Sequence, residues 1–221
     1  MKNIITIIIS LFIILFLFSA CEKEDKTSPV ITLLGDNPMT ITLNSTFTDL
    51  GATANDDKNG DLTSLITSKG TVNISLKGTY TIIYSVADAA GNSDSKSRTV
   101  DVVNESDSRE GTYSVVDTIS GTGAGIYYYT ATITASLSTN NKVSVENFGK
   151  LTNNCSVNMT FDSESNITIP EQILTGVPAG KEGKTSGSGT TKADGTTLNI
   201  TYSTDYYSGG TAIGNATYTK I

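Results

Sequence analysis

The clearest β-strand pattern in the N-terminal region is Tyr80-Thr81-Ile82-Ile83-Tyr84-Ser85-Val86. Tyr80, Ile82, Tyr84 and Val86 share one face at a period of two, which is typical of a half-buried β-strand. Turn-forming groups such as Asp36-Asn37-Pro38 bound the neighbouring segments. Further short strands are predicted at 30–33, 40–43, 70–74 and 98–103. Short strands at regular spacing predict a β-sandwich over residues 28–103.

Several segments of this region follow one another in an order that has a known counterpart. They are Pro29-Val30-Ile31-Thr32-Leu33-Leu34-Gly35-Asp36-Asn37-Pro38, Gly51-Ala52-Thr53-Ala54, Gly60-Asp61-Leu62-Thr63, Gly78-Thr79-Tyr80-Thr81 and Asp88-Ala89-Ala90-Gly91-Asn92. Together they resemble a bacterial surface-protein Ig-like family, which also occurs beside Cry-type pesticidal crystal proteins. The resemblance implies an Ig-like sandwich that acts as a spacer.

An acidic loop, residues 56–61, is a candidate metal site in this region. It gathers side-chain oxygens around a glycine turn, and Ca²⁺ binds six to eight oxygens. The candidate calcium ligands are Asp56, Asp57, Asn59 and Asp61. The alternative is an ordinary turn held by side-chain-to-backbone hydrogen bonds, because the EF-hand spacing is absent. Asp88 and Asn92 would contribute only if folding brings their loop nearby.

Residues 110–221 form a second series of short alternating segments, after a polar linker at 104–109. Strands are predicted at 113–116, 127–133, 143–145, 157–161, 167–169, 186–191, 198–202 and 216–221. Asp194-Gly195 is a strong two-residue hairpin signal. About eight antiparallel strands can close into a barrel, which removes exposed edges. The sequence therefore predicts an all-β protein with a C-terminal antiparallel barrel.

Short motifs in the barrel region have a second resemblance. They are Gly111-Thr112-Tyr113, Asn141-Lys142-Val143, Asn147-Phe148-Gly149, Ile167-Thr168-Ile169-Pro170 and Ala216-Thr217-Tyr218-Thr219-Lys220. They resemble lipocalin-like C-terminal domains of Bacteroidota lipoproteins, which implies a lipocalin-like barrel. An eight-stranded barrel is either filled by side chains or holds one small ligand, and the sequence leaves both open.

Tyrosines are the candidate ligand-binding residues of the barrel, because amphipathic rings suit sugar and protein surfaces. They are Tyr127, Tyr129, Tyr206 and Tyr207. Alternation places Tyr127 and Tyr129 on the face opposite Tyr128, so packing inside the barrel is the competing role.

The N-terminus is typical of an export signal. Lys2 precedes an apolar run over residues 4–18 and the small residues Ser19-Ala20. A transmembrane span would need about 20 apolar residues, so a cleaved signal at residues 1–20 is favoured. Leu17-Phe18-Ser19-Ala20-Cys21 resembles the lipobox of bacterial lipoproteins, which implies acylation of Cys21, for example with palmitate. Membrane anchoring would then need no spanning helix.

A charged segment, Glu22-Lys23-Glu24-Asp25-Lys26, follows the cysteine and is predicted to be a solvated tether within residues 21–27. It resembles the acidic segment of surface-exposed Bacteroidota lipoproteins, which implies an outer-membrane, lipid-anchored location. Acylation of Cys21 leaves Cys155 without a disulfide partner in the chain. A lone cysteine in an alternating segment is predicted to be buried.

Composition limits the chemistry. The net charge of −7 makes nucleic acid an unfavourable partner, and the absence of histidine excludes His-dependent triads and imidazole metal sites. Glycosidases need only two carboxylates, and acids such as Glu164, Glu171, Glu182 and Asp205 are present without a spacing that singles out a pair. We therefore expect no enzyme activity. Asp117-Thr118-Ile119 resembles an O-glycosylation acceptor pattern of Bacteroidota envelope proteins, which implies Thr118 as the acceptor.

These observations predict a non-catalytic outer-membrane or cell-surface lipoprotein. Its Ig-like spacer would present a barrel that binds a glycan, a small molecule or a protein. A carboxylate-dependent polysaccharide hydrolase and a purely structural envelope protein are the alternatives. A structural calcium ion is the one cofactor that the sequence offers.

Overall fold

The computed structural model describes residues 24–150, 155–163 and 165–221, so Cys21 and the export signal lie outside the described residues. Regular structure in the described chain consists of β-strands and short 3-10 turns. No helix in these ranges has the length and apolarity needed to cross a bilayer. The predicted all-β class is confirmed.

Seven strands form two small sheets in the N-terminal region. They are β1 (Val30–Leu33), β2 (Met39–Thr42), β3 (Ala52–Asp56), β4 (Gly60–Asp61), β5 (Thr67–Lys69), β6 (Gly78–Ala87) and β7 (Ser93–Val103). One sheet has the order β1-β3-β4, and the other has the order β2-β7-β6-β5. β2 runs parallel to β7, whereas β1, β3 and β4 pair antiparallel.

Alternation explains the long strand β6. Ile82, Tyr84 and Val86 are buried, while Thr81 and Ile83 are exposed, as the period of two predicts. The strand predicted at 70–74 is wrong, because regular pairing ends with β5 at Lys69. Gly70 has a φ of 126°, a left-handed conformation that breaks an extended strand and that a side chain rarely adopts.

The described chain divides into two compact units. The first unit comprises residues 24–35, 50–69 and 83–97, and its buried side chains include Ile31, Ala54 and Tyr84. The second unit comprises residues 36–49, 70–82 and 98–221 and contains all of the barrel.

Eight antiparallel strands close into a barrel, which confirms the predicted architecture. They are β8 (Gly111–Gly121), β9 (Gly125–Ala135), β10 (Lys142–Glu146), β11 (Ser156–Phe161), β12 (Asn166–Ile173), β13 (Gly183–Thr191), β14 (Thr197–Tyr206) and β15 (Thr211–Lys220). Each strand pairs with the next one, and β15 pairs back onto β8, with Lys220 opposite Tyr113. Every described strand of the barrel therefore has two neighbours.

Large side chains occupy the interior of the barrel. Tyr113, Tyr218, Phe148, Met159 and Leu198 are each almost completely buried in one continuous cluster. These side chains fill much of the space that an eight-stranded barrel can leave for a ligand. The interior is therefore a packed core over much of its length.

The ring of Tyr202 lies inside the barrel against a glycine of the adjacent strand. Tyr202 is opposite Gly214 in the β14–β15 ladder, and a methyl group added at Gly214 would overlap the ring. The ring also contacts that of Phe148, with the ring centroids 4.6 Å apart. Because Gly214 has no side chain, the ring of Tyr202 fits beside it on the paired strand.

The segment predicted to be a polar linker, 104–109, is folded onto the barrel. Asn104 and Ser106 are buried. The Asn104 side-chain amide donates to the carbonyls of Ser136 and Thr139, at 2.9 and 3.0 Å, and its oxygen accepts from the amides of Ser106 and Asn141. This segment is therefore polar because its side chains form hydrogen bonds within the second unit.

Candidate functional site

Three carboxylates of the first unit converge. One carboxylate oxygen from each of Asp25, Asp56 and Asp88 lies within 4.8 Å of the other two. Asp56 and Asp88 are buried, and the side chain of Asp25 is only 10% exposed. We call Asp25, Asp56 and Asp88 the acidic triad.

Asp56 enters the triad from the end of β3, where a tight turn leads to β4. Its Oδ1 accepts hydrogen bonds from the amides of Lys58 and Asn59, at 3.0 and 2.8 Å, which is the usual way an aspartate holds a turn. Its Oδ2 is buried and has no hydrogen-bond partner among the described residues. One oxygen therefore shapes the loop, and the other is free to bind a ligand.

Asp88 lies in the turn between β6 and β7. The backbone and side-chain amides of Asn92 donate to its two oxygens, each at 2.8 Å. Burial acts to raise the pKa of Asp88, but hydrogen bonds from Asn92, Gly91 and Ala90 outweigh it, so the pKa lies below its ordinary value. The carboxylate is thus held in its charged form.

The tether contributes the third carboxylate. The Asn92 side chain donates to the backbone carbonyl of Asp25 at 3.2 Å, and Lys58 Nζ lies 3.9 Å from Asp25 Oδ1. Asp25 is thus held on the first unit, whereas Glu24, Lys26 and Thr27 are exposed, as predicted for a solvated tether. No local signal marks Asp25, because its partners are 31 and 63 residues away along the chain.

The predicted calcium ligands are only partly brought together. Asp56 belongs to the acidic triad, and Asp57 is exposed in the adjoining turn. Asn59 Oδ1 accepts from the Ala89 amide at 3.4 Å, so its side chain reaches the Asp88 turn. Asp61 is exposed, and hydrogen bonds from the hydroxyl of Thr63 and then from its amide, at 2.9 Å, lower the pKa of Asp61. Folding does bring the turn of Asp88 to the Asp56 loop, so Asp88 can contribute to a metal site there.

Inside the barrel, Asp117 forms a second buried polar cluster. Alternation along β8 points Tyr113, Val115 and Asp117 inward. Tyr202 and Tyr129 both donate to Asp117 Oδ2, at 2.6 and 3.1 Å. Within the described chain, Asp117 Oδ1 has no hydrogen-bond partner. Sequence reasoning missed this cluster, because an acidic residue at an inward position breaks the hydrophobic pattern.

Burial dominates the electrostatics of this cluster. It raises the pKa of Asp117, although the two tyrosine hydrogen bonds act in the opposite direction. Burial, and next the Asp117 carboxylate, raise the pKa of the Tyr202 hydroxyl far above its usual value. Both tyrosines therefore remain hydrogen-bond donors at neutral pH, and the cluster is a buried network with one unused acceptor oxygen.

The four candidate tyrosines are divided between different environments. Tyr129 lies inside the barrel and donates a hydrogen bond to Asp117. Tyr127 is half-buried and donates to the Gly123 carbonyl at 2.7 Å. Tyr206 is half-buried with Lys181 Nζ 5.5 Å from its ring centroid, whereas Tyr207 is 61% exposed in the next turn. They do not form one exposed surface.

The outside of the barrel carries a groove of about 450 Å³ over three strands. We call its polar side chains the outer polar face, and they are Ser188, Thr190, Asn199, Thr201, Asn215 and Thr217. Thr201 donates to the Asn215 side-chain oxygen at 2.9 Å, and Thr217 donates to that of Asn199 at 3.2 Å. The hydroxyl donors therefore orient both side-chain amides, whose NH₂ groups are then available to a ligand.

An exposed aromatic ring continues this face. The ladder pairs place Asn199, Thr217, Val116 and Tyr128 in one row across β14, β15, β8 and β9. Tyr128 is 70% exposed, and Ile126 beside it is 60% exposed. Thr118, the predicted acceptor for O-glycosylation, is exposed in the adjacent row between Asn215 and Ile126. Polar and aromatic groups thus lie side by side on one surface.

Cys155 is fully buried in the barrel cluster, and burial raises its pKa to about 11. The thiol is therefore protonated at neutral pH and packs as a small apolar group.

Comparison with known proteins identifies part of the chain. Residues 31–102 match the family described as "Bacterial surface protein, Ig-like domain", so this segment is an Ig-like domain of the bacterial surface type. No curated protein matches the sequence.

Two solved structures show similarity at low identity. The lipoprotein BT2262 from Bacteroides thetaiotaomicron has a TM-score of 0.38 and 15% identity, over 86% of this chain and 98% of that one. The structure of CBM51-2 in complex with GlcNAc and INT domains from Clostridium perfringens ZmpB has a TM-score of 0.30 and 14% identity, over 87% of this chain. The match covers 47% of that second chain, or about half its length.

Proposed function

We propose that this protein is a lipid-anchored, non-catalytic cell-surface protein that binds a glycan through the outer polar face of its barrel and Tyr128. The surface-type Ig-like domain at residues 31–102 supports a place at the cell surface. The export signal and Cys21, which precede the described residues, support attachment through a lipid.

The observation that supports glycan binding is the chemistry of the outer polar face. The nine residues that line its groove carry no charge and present hydroxyls and two side-chain amides. Such groups match the alternating donors and acceptors of sugar hydroxyls, while an aromatic ring packs on the apolar face of a sugar. Tyr128 supplies that ring in the same row of residues as Asn199 and Thr217. A neutral face on an acidic protein favours a neutral glycan over an anionic one.

Three of the acids considered as catalytic candidates, Glu171, Glu182 and Asp205, support a role without catalysis. Glu171 forms an ion pair with Lys184 at 2.7 Å, and Asp205 accepts from the Thr211 hydroxyl at 2.7 Å. Glu182 accepts from the amide of Gly180 at 2.6 Å. All three are exposed, and Glu164 lies outside the described residues. Exposed carboxylates that already have partners lack the desolvated cleft that tunes a catalytic acid.

A glycan array tests the binding proposal. The probe is the mature protein from residue 22 onward, and the glycans include neutral hexose and N-acetylhexosamine polymers. We expect saturable binding that weakens by about tenfold or more in Tyr128→Ala and in Asn215→Ala, since each removes a contact of about 1.4 kcal/mol or more. Tyr207→Ala is the matched control, because Tyr207 is equally exposed but lies in the β14–β15 turn.

Two outcomes would contradict this proposal. Saturable binding that Tyr207→Ala abolishes and Tyr128→Ala leaves intact would place the ligand elsewhere. An array without binding, together with an envelope pull-down without a partner, would favour a purely structural envelope protein. Release of reducing sugar from the same glycans by the wild-type protein would instead favour the hydrolase.

Lipid attachment has its own test. Expression of the full chain with labelled palmitate should give a labelled protein in the membrane fraction, and Cys21→Ser should lose both the label and the membrane association. Cys155→Ser is the control that should keep both. Label in Cys21→Ser would place the acyl group on another residue.

A further inference from the structure

The acidic triad contains a buried oxygen without a partner. Asp56 is 3% exposed, its Oδ1 holds the turn to β4, and its Oδ2 accepts no hydrogen bond from the described residues. A carboxylate oxygen removed from water without a donor is unfavourable. Asp56, which forms the triad with Asp25 and Asp88, therefore has one buried acceptor oxygen without a donor.

Charge in the triad is only partly balanced. Three carboxylates lie together, and Lys58, a cation of the described chain, places its Nζ 3.9 Å from Asp25 Oδ1 on a side chain that is 46% exposed. Both oxygens of Asp88 accept hydrogen bonds from the neutral Asn92, each at 2.8 Å, so these contacts add no positive charge to the triad. A bound cation would both neutralise the triad and give Asp56 Oδ2 a partner.

We propose that Asp25, Asp56 and Asp88 bind a Ca²⁺ ion. All three ligands are hard oxygens, and the first unit offers neither histidine nor thiolate among its described residues, so softer metals are disfavoured. Two oxygens on opposite sides of Ca²⁺ are about 4.6–5.2 Å apart, since each bond is about 2.3–2.6 Å long. The triad oxygens lie within 4.8 Å of one another, close enough to share one Ca²⁺ ion. Mg²⁺ is less favoured because it demands near-ideal octahedral geometry and gives up its water reluctantly.

Water can complete the coordination. An open groove beside the triad is lined by Glu24, Asp25, Lys26, Thr27, Asp57 and Lys58. Ca²⁺ takes six to eight oxygens, so three carboxylates leave positions for water or for a neighbouring carbonyl. The groove gives solvent access on the side of Asp25, while β3 and the β6–β7 turn supply the buried side.

The ion would have a consequence for the tether, which goes beyond glycan binding by the barrel. Asp25 lies four positions after Cys21, the predicted site of lipid attachment. Coordination of Asp25 would add to the contacts that Asn92 and Lys58 already make with this residue. Calcium would thus hold residues 24–27 on the first unit more tightly than those contacts do alone.

Calorimetric titration of the mature protein, from residue 22 onward and freed of metal with a chelator, tests the site directly. We expect one Ca²⁺ per chain with a Kd of about 10⁻⁴–10⁻³ M, the range of extracellular modules. Asp56→Asn, which keeps a side-chain oxygen for the turn, and Asp25→Asn in the tether should each weaken binding at least tenfold. Asp57→Asn, which removes an exposed charge beside the groove but none of the three ligands, should raise the Kd by less than about fivefold. Mg²⁺ should bind at least tenfold more weakly than Ca²⁺.

Trypsin gives a second readout that reports on the tether itself. Ca²⁺ should slow cleavage after Lys26 in the wild-type protein and in Asp57→Asn, and it should have no effect on Asp25→Asn. Absence of a calcium-dependent heat and of protection at Lys26 would overturn the proposal. Loss of binding in Asp57→Asn with retention in Asp25→Asn would also overturn it, in favour of the contiguous 56–61 loop. Neither measurement depends on the barrel, so the glycan proposal stands or fails separately.

Discussion

The Tyr202 hydroxyl donates a 2.6 Å hydrogen bond to Oδ2 of Asp117, although the two residues are 85 positions apart. The bond joins β14 to β8 across the interior of the barrel and lies among apolar side chains. A second donor, Tyr129, shares the same acceptor oxygen. Loss of hydration destabilises the charged form of a carboxylate in this position. The charge state of Asp117 therefore affects the stability of the folded protein.

Asp117→Asn should change the pH dependence of unfolding. Burial raises the pKa of Asp117 above its value of 3.8 in the unfolded chain, so the folded state holds the proton more tightly. The stability from this group is fully present below pH 3.8 and is lost as the pH rises through the folded pKa. Wild type should therefore gain melting temperature relative to Asp117→Asn as the pH falls from 8 to 4.

Asp57→Asn is the control for that experiment, because Asp57 is exposed. Its melting temperature should follow that of wild type over the same pH range. A constant difference between wild type and Asp117→Asn at every pH would show that Asp117 does not titrate differently in the folded state.

Gly214→Ala should destabilise the barrel through Tyr202. The added methyl group would overlap the tyrosine ring, and overpacking of this kind costs about 1–3 kcal/mol. The free energy of unfolding in denaturant measures the effect. In a Tyr202→Ala background the ring is gone, so Gly214→Ala should cost much less. An equal cost in both backgrounds would contradict the overlap.

Asn104→Ala should destabilise the second unit although residue 104 lies in a polar segment between the two regions. Its side chain makes four hydrogen bonds to backbone groups of residues 106, 136, 139 and 141, and it is buried. Removing it leaves several buried groups unpaired, at a cost of about 1–3 kcal/mol. Ser138→Ala, an exposed change in the adjacent loop, should stay within about 0.5 kcal/mol of wild type. Equal stability of the two variants would mean that segment 104–109 is detached in solution.

Cys155 should be inert in the folded protein. The thiol is buried and its pKa is about 11, so little thiolate exists at pH 8 and reagents cannot reach it. A mature protein with Cys21 replaced by Ser should react with a thiol reagent only after denaturant is added. Rapid reaction under native conditions would show that the barrel opens next to β11.

Much of the barrel could be predicted from the sequence because its strands alternate clearly. Residues 127–133, 157–161 and 198–202 show the period of two, and each lies within an observed strand of the closed barrel. Observed strands such as β14 and β15 are longer than predicted, because their outward positions carry Thr, Ser and Asn rather than a strong contrast in hydrophobicity. The missed strand β3 has the same cause, since Ala54 and Asp56 face inward in place of large apolar residues.

The candidate sites were less predictable, because they depend on contacts between distant residues. Alternation separates Tyr128 from Tyr127 and Tyr129, but it does not say which side faces water, and the ring exposed beside the outer polar face is Tyr128. The acidic loop predicted a metal site made from neighbours in sequence. Folding instead joins Asp56 to Asp25 and Asp88, and the latter two residues carry no local signal of that contact.

The pairing of β15 with β8 also orders events during synthesis. The first strand of the barrel cannot be paired on its outer edge until the last one has been made, about 100 residues later. Until then, β8 exposes a row of unpaired backbone groups that can pair with another chain. A barrel closed by its last strand therefore folds late, after its whole sequence has emerged, and its unfinished chain is exposed to pairing with its copies.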